Sequence, residues 1–158
     1  MLKKGDKAPD FSLLNQDGKP VTLSEFKGKR VVIFFYSKDS TPGCTRQAMG
    51  YSKSMEKYKE LNMEVIGISK DSVASHKRFA DRYNLEITLL SDEERKVCEL
   101  YDVIGTKIIS GSEKVVTLRS SFIIDENGYI ADARYKVKPD TDSGEILETL
   151  IEKRTREF

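Results

Sequence analysis

Residues 30–49 read RVVIFFYSKDSTPGCTRQAM, and the rest of the chain is organised around this stretch. The apolar run from Arg30 to Tyr36 predicts a strand buried on both faces, as in the middle of a parallel sheet. After Pro42-Gly43, apolar residues recur at helical intervals to about Leu61, which predicts a helix of four or more turns. A lone cysteine, Cys44, therefore lies at a helix start just after a buried strand, where open sheets gather their binding sites.

Strands and helices alternate along the remainder of the chain. This order predicts an α/β protein with a thioredoxin-like fold, in which helices flank a central mixed β-sheet preceded by an N-terminal β-hairpin. Asp-Gly and Asn-Gly steps at 17–18 and 127–128 mark two hairpin turns. The segment from Ile104 to Glu113 is expected to be a loop beside the site. The other predicted elements are strands at 63–68 and 87–90, strands at 115–124 and 129–137, and helices starting near Asp71, Glu93 and Asp142.

Length and charge exclude several classes of protein. A chain of 158 residues is expected to form a single domain over residues 1–158. Its net charge of +1 provides no field for a nucleic-acid or anionic-membrane partner. The longest apolar run is far shorter than the roughly 20 residues that span a bilayer. We therefore expect a cytoplasmic protein.

The chain has two cysteines, Cys44 and Cys98, and one histidine, His76. Two cysteines are too few for a secreted disulfide scaffold, and in a reducing compartment they are more often catalytic or redox-sensing. One histidine and two cysteines also fall short of a closed zinc site, so no metal is expected. His76 is predicted to be partly exposed on an amphipathic helix.

The residues around Cys44 favour a reactive thiol. A helix N-terminus lowers the pKa of a thiol, and the thiolate is the reactive form. Pro42 has no N–H and Gly43 allows close backbone approach, so this loop can direct several N–H donors at a small oxygen-bearing substrate. Thr41 supplies a hydroxyl that donates and accepts, although it could also cap the helix. The alternative role for Cys44 is that of a small hydrophobic side chain packed in the core, with no reactivity.

Three segments carry a family resemblance. They are GDKAPDF at 5–11, FFYSKDSTPGCT at 34–45 and RSSFIID at 119–125. In this order and spacing the chain resembles the peroxiredoxins, and within them the Q-type, or bacterioferritin-comigratory-protein, branch. The resemblance extends over nearly the whole chain, from about residue 5 to about residue 150.

The resemblance implies a thiol peroxidase without a cofactor. Cys44 would be the peroxidatic cysteine, whose thiolate attacks hydrogen peroxide or an organic hydroperoxide and becomes a sulfenic acid. Thr41 would hydrogen-bond the peroxide, and Pro42 and Gly43 would belong to the substrate-binding loop. Arg119 would hold the thiolate and the peroxide oxygens, a role suited to a permanently charged fork of donors. The resemblance also implies a monomer or weak homodimer.

Three positions depart from the family pattern. Ser37 replaces a common proline, Gln47 replaces the usual glutamate, and Met49 stands where the branch often has its resolving cysteine. Cys98 lies in a predicted helix and is expected to be packed and structural, the alternative being that it resolves Cys44. We therefore expect a one-cysteine mechanism recycled by a thioredoxin, a glutaredoxin or a small thiol.

Two other functions are compatible with the predicted fold. A thiol-disulfide oxidoreductase would normally have a second nearby cysteine, which Cys44-Thr45-Arg46-Gln47 lacks. A non-catalytic thioredoxin-like binding module would have lost its site residues, whereas Thr41, Cys44 and Arg119 are all retained.

Overall fold

The protein alternates strands and helices as predicted. A computed structural model describes the backbone of residues 1–156 and the side chains of residues 1–152. The strands are β1 (Ser12–Asn15), β2 (Pro20–Thr22), β3 (Arg30–Phe35), β4 (Met63–Ser69), β5 (Thr88–Ser91), β6 (Ile104–Ile109), β7 (Ser112–Thr117), β8 (Ser120–Ile124) and β9 (Ile130–Tyr135). The helices are α1 (Pro42–Lys53), α2 (Met55–Glu60), α3 (Val73–Tyr83), α4 (Lys96–Leu100) and α5 (Asp142–Arg156), with a 3-10 helix at Leu23–Phe26.

Seven strands form one mixed sheet in the order β2-β1-β5-β4-β3-β8-β9. Its centre is parallel, because β3 pairs with β4 and β4 pairs with β5 in the same direction. The outer pairings are antiparallel, including β1 with β2 and β3 with β8. The thioredoxin-like mixed sheet and the N-terminal hairpin are therefore confirmed.

Strand β3 separates two hydrophobic cores. Its residues from Val31 to Phe35 are at most 1% exposed, because both faces of the sheet are covered. Successive side chains of a strand point to opposite faces. Val32 and Phe34 face the first core, which also contains Cys44, Tyr51, Phe79 and Ile146. Val31, Ile33 and Phe35 face the second core, which also contains Cys98, Tyr101 and Phe122.

The segment 104–113 is not a loop, contrary to our prediction. It belongs to the antiparallel hairpin of β6 and β7, whose turn has positive φ at Ser110 and Gly111, at 52° and 78°. Such a turn matches the twist of a two-residue hairpin. Most side chains of this hairpin are exposed on both faces, including Ile108 at 76%. Without a buried face, the sequence has no alternating pattern to detect.

Two predicted helices are shorter than expected. The helix that follows Cys44 is divided at Ser54 into α1 and α2, and α4 begins only at Lys96. Arg95 has a left-handed backbone with φ of 55°, and the Asp92 carboxylate accepts from the Cys98 N–H at 3.0 Å. Within residues 1–156, none of the helices is long and apolar enough to cross a membrane.

Candidate active site

Cys44 is the third residue of α1 and begins the site. Pro42 is the first helical residue and Thr41 occupies the N-cap position. The Thr45 N–H bonds the Thr41 carbonyl at 2.9 Å, so the preceding N–H groups have no partner within the helix. The Cys44 side chain is 1% exposed and packs in the first core. The thiol therefore lies in a mostly dry position at the positive end of a helix.

The pKa of the Cys44 thiol is lowered from its ordinary value. Burial is the largest influence and by itself raises the pKa. Hydrogen bonds from Ser37, from Thr41 and from the backbone of Lys38 act in the opposite direction, as does the positive charge of Arg119. Together these interactions outweigh burial, so the reactive thiolate is favoured.

Ser37 is a site residue that sequence reasoning missed. Its Oγ lies 3.4 Å from Cys44 Sγ, within hydrogen-bond reach for sulfur. The sequence identifies Ser37 only as a departure from the proline that is common in the family. The fold brings its hydroxyl to the thiol, where it can donate to the thiolate, and a proline could not make this contact.

The Thr41 hydroxyl has two competing acceptors. It makes no capping bond to the helix, and Oγ1 donates to the Lys38 carbonyl at 2.8 Å. The Thr41 hydroxyl also contributes to lowering the pKa of Cys44. A hydroxyl has only one proton, so donation to the thiolate or to a bound oxygen requires release of the Lys38 carbonyl. Rotation about the C–O bond is enough for this exchange.

Arg119 reaches the site from the connection between β7 and β8. Its carbonyl accepts from the Val137 N–H at 2.9 Å, and its Nη1 donates to Gln47 Oε1 at 2.7 Å. A methyl group at Gly43 would lie only 3.2 Å from Arg119 Nη2. The missing side chain at Gly43 therefore allows the guanidinium to pack against the first turn of α1. Arg119 was expected on a strand, but it directly precedes β8.

Asp39 anchors the loop between β3 and α1. Its carboxylate accepts from Tyr36 OH at 2.6 Å and from Ser75 Oγ at 2.8 Å, and it contacts His76 Nδ1 at 2.8 Å. His76 is fully buried, so the prediction of a partly exposed histidine is wrong. His76 Nε2 lies 2.9 Å from the Leu90 carbonyl, which can only accept, so Nε2 carries a proton. The imidazole therefore links Asp39, in the loop before α1, to Leu90 in β5.

The same residues form a group of potential metal ligands. Ligand atoms of Asp39, Asp71 and His76 lie within 4.8 Å of one another, the one such group among the described residues. Asp39 and His76 already bond each other and their neighbours, and Asp71 Oδ2 accepts from Ser69 Oγ and the Asp39 N–H. Through these hydrogen bonds Asp39, Asp71 and His76 hold the loop between β3 and α1 in place, and we call the three residues the Asp39 clamp.

Cys98 has the opposite environment from Cys44. It is 0% exposed and belongs to the second core, on the other face of the sheet. Burial, and next the carboxylate of Asp92, raise the pKa of Cys98 to about 12. Such a thiol stays protonated and inert. The structure therefore does not bring Cys98 into the site.

Solved structures with this fold define the class of protein. A peroxiredoxin Q mutant of Xylella fastidiosa superposes with a TM-score of 0.92 at 27% identity, covering 98% of each chain. The bacterioferritin comigratory protein of Xanthomonas campestris, described with alkyl peroxide reduction activity, gives 0.89 at 29% identity, covering 95% of this chain and 98% of that one. The fold is the thioredoxin-like fold of peroxiredoxins.

Sequence comparisons give the same result. Peroxiredoxin Bcp of Bacillus subtilis is 42% identical over 149 residues, covering 94% of this chain and 95% of its own. The chloroplastic peroxiredoxin Q of Oryza sativa subsp. japonica is 44% identical over 156 residues, covering 94% of this chain and 67% of its own. The AhpC/TSA family model matches residues 4–133.

The chain belongs to the AhpC/TSA family, in its Q/Bcp peroxiredoxin branch. It is a thiol-dependent peroxidase, and peroxiredoxins act on peroxides with thioredoxin-type reductants. The two alternatives, a thiol-disulfide oxidoreductase and a non-catalytic binding module, are not favoured.

Proposed function

We propose that Cys44 is the peroxidatic cysteine, assisted by Thr41 and Arg119. The Cys44 thiolate attacks the terminal oxygen of a hydroperoxide, the O–O bond breaks, and the leaving oxygen takes a proton to give water or an alcohol. Cys44 becomes a sulfenic acid. The observation that supports this best is the lowered pKa of a thiol at a helix N-terminus, with the Arg119 charge beside it.

Each assisting group has a part in this step. The Thr41 hydroxyl hydrogen-bonds the peroxide and can pass a proton toward the leaving oxygen. The Arg119 guanidinium holds the thiolate and stabilises charge that develops on the oxygens. Pro42 and Gly43 form the substrate-binding loop at the first turn of α1, where the N–H groups of Gly43 and Cys44 have no partner within the helix. The same groups accept hydrogen peroxide and small organic hydroperoxides.

We further propose that an external thiol recycles Cys44. Cys44 and Cys98 lie in cores on opposite faces of the sheet, so β3 separates them. A disulfide needs Cα atoms within about 7 Å, which would require α1 or α4 to unwind and carry its cysteine around the sheet. Met49 occupies the family's usual resolving position. One external thiol therefore forms a mixed disulfide with Cys44 and releases water, and a second thiol restores Cys44.

Thioredoxin, glutaredoxin or a small thiol is the proposed reductant. Two free cysteines suit the reducing cytoplasm, where such reductants are found. We propose that residues 1–158 act as one domain, as a monomer or weak homodimer. Peroxide consumption with each reductant in turn identifies the one that supports the highest turnover.

Mass mapping after one equivalent of peroxide tests the mechanism. The reduced protein is oxidised under non-reducing conditions, with Cys44→Ser and Cys98→Ala as matched variants. We expect a sulfenic acid on Cys44, retained in Cys98→Ala and lost in Cys44→Ser. A disulfide between Cys44 and Cys98 in the wild type would overturn the one-cysteine mechanism. Full peroxide turnover by Cys44→Ser would overturn the assignment of the peroxidatic residue.

A further inference from the structure

A buried carboxylate lies behind the site without touching Cys44. Asp142 is the first residue of α5 and is 0% exposed. Its Oδ2 accepts from Ser121 Oγ at 2.5 Å, from Tyr51 OH at 2.6 Å and from Gln47 Nε2 at 3.0 Å. Three donors from β8 and α1 therefore converge on one oxygen atom.

The groups around Asp142 Oδ2 all donate hydrogen bonds to it. Burial, followed by the charge of Asp142, raises the pKa of Tyr51 well above its ordinary value, so Tyr51 remains a donor. Oδ2 therefore acts as the acceptor toward all three of its partners. Among the described residues, the other oxygen, Oδ1, is buried without a hydrogen-bond partner. A buried and incompletely paired carboxylate is costly, which points to a purpose beyond packing.

The carboxylate determines which way Gln47 faces. The two ends of a glutamine amide are nearly the same in shape, but one accepts and the other donates. Because Asp142 Oδ2 accepts and the Arg119 guanidinium can only donate, Gln47 directs Nε2 toward Asp142 and Oε1 toward Arg119. Gln47 is 0% exposed, so no other orientation is stabilised by water. With the amide reversed, its NH₂ would face the guanidinium and the 2.7 Å hydrogen bond would be lost.

We propose that Asp142 is a positioning residue that orients Gln47 and, through it, holds Arg119 against the peroxidatic thiolate. The inference rests on the role proposed above for Arg119. It assigns a function to a residue that is distant in sequence from Cys44 and makes no contact with substrate.

The pair consists of one amide and one carboxyl group, which suggests an exchange experiment. In the double variant Gln47→Glu/Asp142→Asn, the carboxyl group and the amide change places. In it, the carboxylate introduced at position 47 accepts from Arg119 directly. The amide nitrogen introduced at position 142 takes the place of Oδ2 and donates to that carboxylate and to the Tyr51 oxygen. Tyr51 then donates to Ser121 Oγ, which lies 3.3 Å from its hydroxyl. The single variant Gln47→Glu instead places two carboxylates side by side.

The readouts are the pH profile of Cys44 alkylation and the rate of oxidation by hydrogen peroxide. All proteins in this comparison carry Cys98→Ala, so that alkylation and oxidation are measured on Cys44 alone. We expect Asp142→Asn to move the alkylation profile to higher pH and to slow peroxide oxidation about five- to tenfold, the effect of one hydrogen bond of ordinary strength. The double variant is expected to recover to within about twofold of the parent.

Control variants separate positioning from folding. Ser121→Ala removes a donor to the same carboxylate but leaves its link to Gln47, so it should lower the thermal midpoint and leave the alkylation profile in place. Gln47→Met breaks the link with Asp142 intact and should shift the profile as Asp142→Asn does. It gives the decisive measurement if Asp142→Asn fails to fold.

The possible results are distinguishable. A folded Asp142→Asn or Gln47→Met protein with an unchanged profile, beside a slowed Arg119→Gln protein, would overturn the positioning role and leave the proposed function intact. An unaffected Arg119→Gln protein would overturn the proposed role of Arg119 itself. A slowed Asp142→Asn protein that the exchange variant fails to rescue, at equal thermal midpoints, would also overturn the positioning role.

Discussion

Replacing Ser37 by alanine tests the electrostatics of the site most directly. The hydroxyl lies 3.4 Å from Cys44 Sγ and is first among the groups that lower the pKa of that thiol. Alanine removes the hydroxyl and leaves the loop backbone and the clamp at Asp39 untouched. The remaining contacts of the thiol, from Thr41 and the Lys38 backbone, stay in place. The substitution therefore isolates one hydrogen bond to the thiolate.

The size of the effect follows from the strength of that bond. A hydrogen bond to a charged group is worth about 1.5–3 kcal/mol. The bond from Ser37 to Cys44 is expected to contribute less, about 1 kcal/mol, because sulfur is a weak acceptor and Ser37 is only half-buried. About 1 kcal/mol corresponds to about fivefold less thiolate at a pH below the thiol pKa. Since the Ser37 hydrogen bond lowers the pKa of Cys44 in wild type, removing this bond raises that pKa. The reactivity of Cys44 in Ser37→Ala falls below that of wild type at low pH, and the two become equal at a pH where Cys44 is fully ionised in both proteins.

Iodoacetamide alkylation and peroxide oxidation, both followed across pH, measure this shift. Ser37→Thr keeps a hydroxyl at the same position and should remain close to wild type. Ser112→Ala removes an exposed hydroxyl from the β6–β7 hairpin and should change nothing. If the Ser37→Ala profile coincides with that of wild type, the hydroxyl does not stabilise the thiolate. A uniform loss of rate at every pH would instead indicate a disturbed loop.

Four further changes have expected outcomes. Arg119→Lys keeps the charge but loses the planar fork, so peroxide turnover should fall about 10²-fold in steady-state assays, and wild-type turnover would contradict its role. His76→Ala leaves the Asp39 carboxylate buried without its imidazole and should lower the free energy of unfolding in urea by about 3 kcal/mol, and a loss below about 1 kcal/mol would argue against the clamp. Gly67→Ala places a methyl group 2.6 Å from a Phe34 ring carbon and should cost about 1–3 kcal/mol in the same titration, whereas unchanged stability would refute the close contact. The Cys98 thiol ionises above about pH 9.0 in the unfolded chain, but only near pH 12 in the native state, because its pKa is raised there. Wild type should therefore lose thermal stability with rising pH more steeply than Cys98→Ala, and parallel curves would contradict the raised pKa.

The sheet could be predicted from sequence wherever burial leaves a local pattern. The run from Arg30 to Phe35 needs apolar residues at every position because both faces are covered, and that requirement is visible in the sequence. The hairpin of β6 and β7 leaves most of its side chains exposed on both faces, so nothing in the pattern of residues 104–113 distinguished them from a loop. His76 gave a similar error, because helical spacing cannot show that a polar side chain meets a carboxylate from another element.

The sequence by itself determined the parts of the site that are neighbours along the chain. Thr41, Pro42, Gly43 and Cys44 are within one helical turn, so local backbone preferences and the helix N-terminus place them together. Their order and the family pattern were enough to predict a peroxide-reducing thiol.

Only the tertiary structure decided the contacts between distant segments. The approach of Arg119 to Cys44 depends on β8 pairing beside β3, and the Gln47 link to Asp142 depends on α5 packing against the same face. The isolation of Cys98 follows from the face of the sheet on which α4 lies. A sequence pattern indicates that a side chain is buried, but strand order and helix placement determine which face and which partner it meets. For this reason the sequence predicts both a reactive Cys44 and an external thiol reductant, and the fold adds the physical reason for the second prediction by placing Cys98 on the other face of the sheet.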